Sequence, residues 1–161
     1  MTTRIYIAGP MSGIPHFNFP EFFKAEAMLH NTRPGDVEVL NPAAEDNRFH
    51  DADISQGNLF GDVQQAEAEH SFDRRRALAG DMHYIAGFAT EIYMLAGWSK
   101  SRGAVAERAV ALAVGITVTY EQNWETETQA EEDQYWRGRE EALNEDQWAA
   151  SWEEGYVDSP H

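Results

Sequence analysis

Residues 91–120 read EIYMLAGWSKSRGAVAERAVALAVGITVTY, and the spacing of their apolar residues changes twice. Glu91 to Leu95 is a short, largely apolar run that reads as a buried strand. Ser101 to Val114 repeats Ala and Val without proline and reads as a helix that is apolar nearly all round. Gly115 is suited to stop it, because helices commonly end on a residue in the left-handed conformation. Ile116 to Tyr120 (ITVTY) is strand again. Strand, helix and strand in one uninterrupted stretch make a βαβ unit, whose two strands lie parallel and whose crossover is right-handed.

The alternation extends toward the N-terminus. Arg4 to Ala8 (RIYIA) is a strand running into the tight Gly9-Pro10 loop, and Phe19 to His30 has helical spacing. Val37 to Leu40 is a second strand, ended by Asn41-Pro42 because proline cannot donate to a ladder, and Arg74 to Phe88 is a helix. The pattern predicts an α/β, mostly parallel sheet of four to five strands with helices on both faces. Ligands of such sheets bind at the carboxyl ends of the strands. Three segments emerge there: Gly9 to Gly13, the chain after Leu40, and Ala96 to Gly103. Asn41 to Asp73 is too long for a bare connector and is expected to hold short helices or a lid.

At 161 residues the chain has the length of one domain, and its 42% apolar and 25% charged residues are those of a globular protein. Twelve Lys and Arg against 28 Asp and Glu give a net charge of −16. This argues against nucleic-acid duplex and anionic membrane surface as partners, both of which need a basic face. There is no cysteine, which removes thiolate metal sites and thiol nucleophiles. Met1 to Ala8 lacks a basic stretch leading into a long apolar run, and Tyr84 to Trp98 is interrupted by Thr90 and Glu91, so a cytoplasmic protein without a membrane span is expected.

The charge is uneven. Residues 1–120 carry 15 acidic and 10 basic residues, whereas residues 121–161 carry 13 and 2. The chain therefore reads as a domain over 1–120 and an acidic, aromatic-containing helical tail over 121–161. Glu131 to Trp152 has no proline, and Trp148 and Trp152 would share one helix face.

One stretch of the domain suggests chemistry. Trp98-Ser99-Lys100-Ser101-Arg102-Gly103 leads into a helix, and a helix N-terminus with Ser and Gly is an anion site, since free N–H groups and the helix dipole converge there. Glu107 follows about 9 Å along the axis, and its side chain leans back toward that N-terminus. It has no ion-pair partner three or four residues away. Periodicity is equally compatible with a solvent-facing stripe of Ala104, Glu107, Arg108 and Ala111. Asp81, between Ala77 and Tyr84, also lacks a helical partner, and its pattern is that of a solvated surface acid as well as of a site. The histidines show no paired ligand spacing, and His50, Asp51 and Asp53 cluster as loop residues do, so no metal is expected. Ile7 to Gly13 has too few glycines for a Walker or dinucleotide fingerprint.

Together, IYIAGPMSG (Ile5 to Gly13), FNFPEF (Phe17 to Phe22), NPA (Asn41 to Ala43), Asp81 and GWSKSRGAVAE (Gly97 to Glu107) resemble the nucleoside 2-deoxyribosyltransferase-like superfamily, in particular its small bacterial and phage branch related to deoxynucleoside monophosphate N-glycosidases. The resemblance covers about residues 4–120. It implies a flavodoxin-like (Rossmann-like) sheet in a homodimer or larger homo-oligomer that cleaves or exchanges the N-glycosidic bond of nucleosides or their monophosphates, with no metal or organic cofactor. By position it implies that Glu107 is a nucleophile toward C1′, that Tyr6 holds its carboxylate, and that Asp81 contacts the sugar or helps the base depart. Substrate would lie against Gly9, Pro10, Met11, Ser12, Gly13, Asn18 and Asn41, and against Ser101, Arg102 and Gly103. Transferases of free nucleosides commonly have Asp six residues before the nucleophile, and members hydrolysing nucleoside monophosphates commonly have Ser. The Ser101 of this chain therefore points to a 5′-monophosphate, expected to be 2′-deoxy. Thr90 falls where many relatives carry Asp. Two other classes stay open: a nucleotide-binding or sensing protein without turnover, and an interaction protein acting through its acidic tail.

Overall fold

The computed structural model describes residues 1–50 and 53–121, with His50 described in its backbone only. The expected helix over 131–152, the tail and Asp51 lie outside the described residues.

Among the described residues four strands form one sheet: β1 (Thr3–Ala8), β2 (Val37–Leu40), β3 (Glu91–Met94) and β4 (Thr117–Tyr120). The order is β2-β1-β3-β4 and every pair is parallel, with Tyr6 opposite Leu40 on one side and Ile92 on the other. Five α-helices connect them: α1 (Phe19–Thr32), α2 (Pro42–His50), α3 (Val63–His70), α4 (Arg74–Gly87) and α5 (Arg102–Val114). This is the Rossmann-like, flavodoxin-type α/β arrangement expected from the alternation. The sequence reading misplaced element ends by one or two residues, where a capping residue and the helix it caps share one local pattern.

Successive side chains of a strand point to opposite faces, and the two central strands serve two cores. Ile5, Ile7, Tyr93 and Leu95 face α1, whose Phe19, Phe22, Ala25 and Leu29 recur at helical spacing. Tyr6, Ala8, Ile92 and Met94 face α4 and α5 through Ile85, Ala104 and Ala111. Helices thus cover both faces. At the amino end of the sheet, the buried Glu91 carboxylate pairs with Arg33 and accepts the Thr119 hydroxyl proton, fastening the end of α1 to β3 and β4.

The segment between β2 and β3 holds α2 and α3 ahead of α4, as its length required. Asn41 does not merely end β2. Its Oδ1 accepts from Ala43 N–H at 3.0 Å, so it caps α2, with Pro42 in the first helical position where no donor is needed. Asp62 and Asp73 cap α3 and α4 in the same way. Gly115, at φ +77°, closes α5 by donating to Ala111 and Leu112 carbonyls. Among the described residues no helix is long and apolar enough to cross a membrane.

Candidate active site

β1 leads through α1 to β2 on one side, and the chain returns to β3 on the other side of β1. The connections diverge between β1 and β3, and in sheets of this kind the space beyond the carboxyl ends of the diverging strands is where ligands bind. Tyr6 sits on β1, one turn of pleat before that end, and is fully buried against α5. Its hydroxyl donates to Glu107 Oε1 at 3.1 Å.

Glu107 is 7% exposed, and with Ala104 and Ala111 it forms the buried stripe of α5. The alternative of a solvent-facing stripe is thereby overturned. Alanine carries little hydrophobic signal in sequence, but its lack of bulk lets α5 approach the sheet closely. Val105, Leu112 and Val114, which read as core, are 43%, 52% and 46% exposed instead. A carboxyl at a core-facing position loses its hydration, and this desolvation, with the charge of Asp81, pushes Glu107 up to about 8 despite the opposing Tyr6 hydrogen bond.

Asp81, on α4, is half-buried and lies beside the same Tyr6 hydroxyl, so it is not the solvated surface acid its pattern allowed. Burial raises it to about 6, opposed by Tyr6. Burial, Glu107 and Asp81 also hold the Tyr6 phenol well above its ordinary value. One phenolic hydroxyl has one proton to donate. Two acids beside it are best served when one is ionised and accepts that proton while the other stays protonated.

Asp81 also lines a cavity of about 380 Å³ between α2 and α4, whose walls include Leu40, Phe49, Phe72, Tyr84 and Phe88. Asp46 of α2 lines it as well, and burial, Asp81 and Glu45 raise its carboxyl to about 7. Arg76, the guanidinium lining the cavity, stacks over Phe49 at 4.6 Å. Sequence reasoning missed Asp46, Phe49, Phe72 and Arg76. The one signal for Asp46 was an acid with no Lys or Arg three or four residues away, on a helix whose Arg48 pairs with Glu45.

The remaining expected site residues divide. Ser101 caps α5, its Oγ accepting from Ala104 N–H at 3.3 Å. Arg102 is exposed beside it, and Gly103 has open space where a Cβ would stand, its nearest neighbour being Ser101 Oγ at 3.9 Å. These three lie on the helix that carries Glu107. Gly9 is required by packing, since a Cβ there would lie 2.9 Å from Leu95. Asn18 Nδ2 donates to the Pro10 carbonyl, Met11 packs into the α1-side core and its carbonyl accepts from Ile14, Ser12 is exposed, and Gly13 N–H donates to Gly61. The β1 loop is therefore braced by protein partners. Asn41 is also fully engaged, donating to Glu26 while capping α2. Thr90 exchanges hydrogen bonds with Arg4 at the amino end of the sheet, away from the carboxyl ends, so its identity bears on strand pairing. Among the described residues no group of three or more His, Asp or Glu is placed to hold a metal ion.

Fold and site define a Rossmann-like α/β protein with two acids gathered at the hydroxyl of Tyr6 on its central strand. The chain belongs to the family described as "Domain of unknown function (DUF4406)", which matches residues 3–120. No curated protein matches it.

Proposed function

We propose that this protein is an N-glycosidase of nucleoside 5′-monophosphates, preferring 2′-deoxyribose, that releases the base or exchanges it for another through a covalent ester on Glu107. The observation carrying this reading is the buried Glu107 carboxyl held by the Tyr6 hydroxyl at 3.1 Å beside Asp81. The sequence resemblance to the nucleoside 2-deoxyribosyltransferase-like superfamily supports it. Glu107 attacks C1′ while the C1′–N bond breaks and its electron pair leaves with the base, to which Asp81 gives a proton. Water, or a second base, then opens the ester, with its proton passing to Asp81, and configuration at C1′ is retained. The substrate phosphate sits at the N-terminus of α5, where the Ser101 hydroxyl, besides accepting from Ala104, keeps a proton to donate. No metal or organic cofactor takes part. The enzyme works in the cytoplasm as a homodimer or larger homo-oligomer, an association favoured by the exposed apolar face of α5. Incubation with deoxynucleoside monophosphates and chromatography of the free base is the test; no release above a Glu107→Ala control overturns the proposal.

Two further outcomes are expected. Ser101→Ala loses the cap, at about 1 kcal/mol of stability, and raises KM for a monophosphate about tenfold, with KM for the matching nucleoside unchanged. In the pH profile of kcat/KM, productive enzyme needs Glu107 ionised and Asp81 protonated. With Glu107 raised to about 8 and Asp81 to about 6, that form is a minority tautomer of the singly protonated pair, and the profile is a bell with limbs near those values. Tyr6→Phe removes a hydrogen bond that stabilises ionised Glu107, so the alkaline limb moves upward and the maximum falls.

The raised Glu107 also favours a second reading, a nucleotide-binding protein without turnover, because a protonated acid is no nucleophile. Assay at pH 8.5 separates the two: binding without base release there supports the second.

A further inference from the structure

Asp46 has no part in the chemistry above, yet it lines the cavity that Asp81 enters from the opposite helix. Among the described residues its carboxyl makes no hydrogen bond and no ion pair. Its own helix supplies Glu45, and α4 supplies Asp81 and His83 together with Asp73 and Arg76 near its start. The guanidinium of Arg76 is stacked on Phe49. Asp81 is committed to the Tyr6 and Glu107 side. Among the described residues, then, Asp46 is a half-buried acid without a hydrogen-bond or ion-pair partner, in an aromatic cavity of about 380 Å³, large enough for a flat heterocycle.

We propose that Asp46 recognises the leaving base and protonates it, selecting bases in which an amino group flanks a basic ring nitrogen, such as adenine and cytosine, over their deaminated counterparts hypoxanthine and uracil. The inference rests on the N-glycosidase reading. A protonated carboxyl presents a donor and an acceptor side by side, matching a ring nitrogen beside an amino group. Burial and the nearby acids hold Asp46 at about 7, so it keeps a transferable proton near neutrality. For these bases that proton takes the place of the one Asp81 gives to others: it passes to the basic ring nitrogen, giving a charge-assisted pair and drawing electrons from the C1′–N bond, whose electron pair leaves with the base as Glu107 bonds to C1′. The water that hydrolyses the ester then returns its one released proton to Asp46 in place of Asp81. Hypoxanthine and uracil present a carbonyl and an N–H at the same edge, and the carbonyl is too weakly basic to take the proton.

Matched pairs test this: dAMP against dIMP, and dCMP against dUMP, with wild type and Asp46→Asn. Asparagine keeps a donor and an acceptor but has no acidic proton. The expected result is a fall of about 100-fold in kcat for dAMP and dCMP, with KM for these two raised by no more than about tenfold and little change for dIMP and dUMP. An unchanged dAMP-to-dIMP ratio of kcat in Asp46→Asn, with an active wild type, overturns the assignment of Asp46 and leaves the glycosidase reading intact. Calorimetric binding of free adenine and hypoxanthine covers the other case. If wild type turns over nothing, the glycosidase reading falls. A roughly tenfold preference for adenine that Asp46→Asn abolishes then supports Asp46 as the recognition group, and equal binding of the two bases overturns it.

Discussion

Glu107→Gln is expected to cut base release by about 10⁴-fold or more, since no covalent route remains, and at the same time to make the protein harder to melt. Both effects have one cause. Glu107 is raised to about 8 in the folded protein from an ordinary value of 4.5, chiefly by desolvation. A carboxyl with a raised folded value contributes its full stability below its unfolded value, near pH 4.5, and loses it as pH rises toward 8. At neutral pH the unfolded chain gains an ionised, hydrated carboxylate that the folded site disfavours. Glutamine keeps an oxygen to accept from Tyr6 and removes that penalty. We expect a gain of about 2 kcal/mol at pH 7.5, or roughly 4–8 °C in Tm, shrinking to nothing near pH 4.5. Scanning fluorimetry of both proteins across this range is the check. A variant destabilised equally at every pH would mean that the carboxyl is structural. A stabilised, inactive variant is the signature of a site held under electrostatic strain for chemistry.

The largest loss of stability is expected at Gly61, far from Glu107 in sequence. The loop after β1 carries three consecutive residues in left-handed conformation, His16, Phe17 and Asn18, at φ of 55°, 52° and 61°. Each such residue is unfavourable by about 1–3 kcal/mol, so the turn persists only where neighbours hold it. Phe17 is buried in the α1-side core. The segment between α2 and α3 fastens the rest: His16 N–H donates to Asn58 O at 2.9 Å, Gly13 N–H donates to Gly61 O at 3.0 Å, and His16 Nδ1 meets Ser55 O at 3.1 Å. Gly61 passes so close that a Cβ would lie 2.2 Å from Ile14 O and 2.6 Å from Ile14 N. These are backbone atoms and cannot swing aside, so the two segments must separate. Gly61→Ala is expected to cost about 3 kcal/mol. Gly57→Ala is the control, because Gly57 has φ +79° in the same segment with nothing within 4 Å of its Cβ position. It should cost only about 1 kcal/mol, the left-handed conformation alone. Equal losses in denaturant titrations of the two variants would show that the close approach is not what holds the loop.

The local signals of this chain settled its architecture. The change of apolar period through EIYML, the α5 run and ITVTY, the Ser101 cap and the Gly115 stop are all consequences of contacts within a few residues, and each element appears in the structure at that place. Glu107 and Asp81 were legible as acids without helical partners. What sequence left open was where they point. Ala104 and Ala111 flank Glu107 whether that stripe faces water or the sheet, because alanine is small enough for a close approach and too weakly hydrophobic to demand one. The Tyr6 hydroxyl, 101 residues away in sequence, resolves the ambiguity at 3.1 Å. Asp46 was not legible, since its environment comes from α4, a helix more than twenty residues later. Element type follows from periodicity along one segment, whereas burial of a charge is a property of what other segments bring against it. Only the packing of α2, α4 and α5 decided that Glu107 and Asp81 meet at the Tyr6 hydroxyl, that Asp46 and Asp81 line one cavity, and that burial raises all three carboxyls.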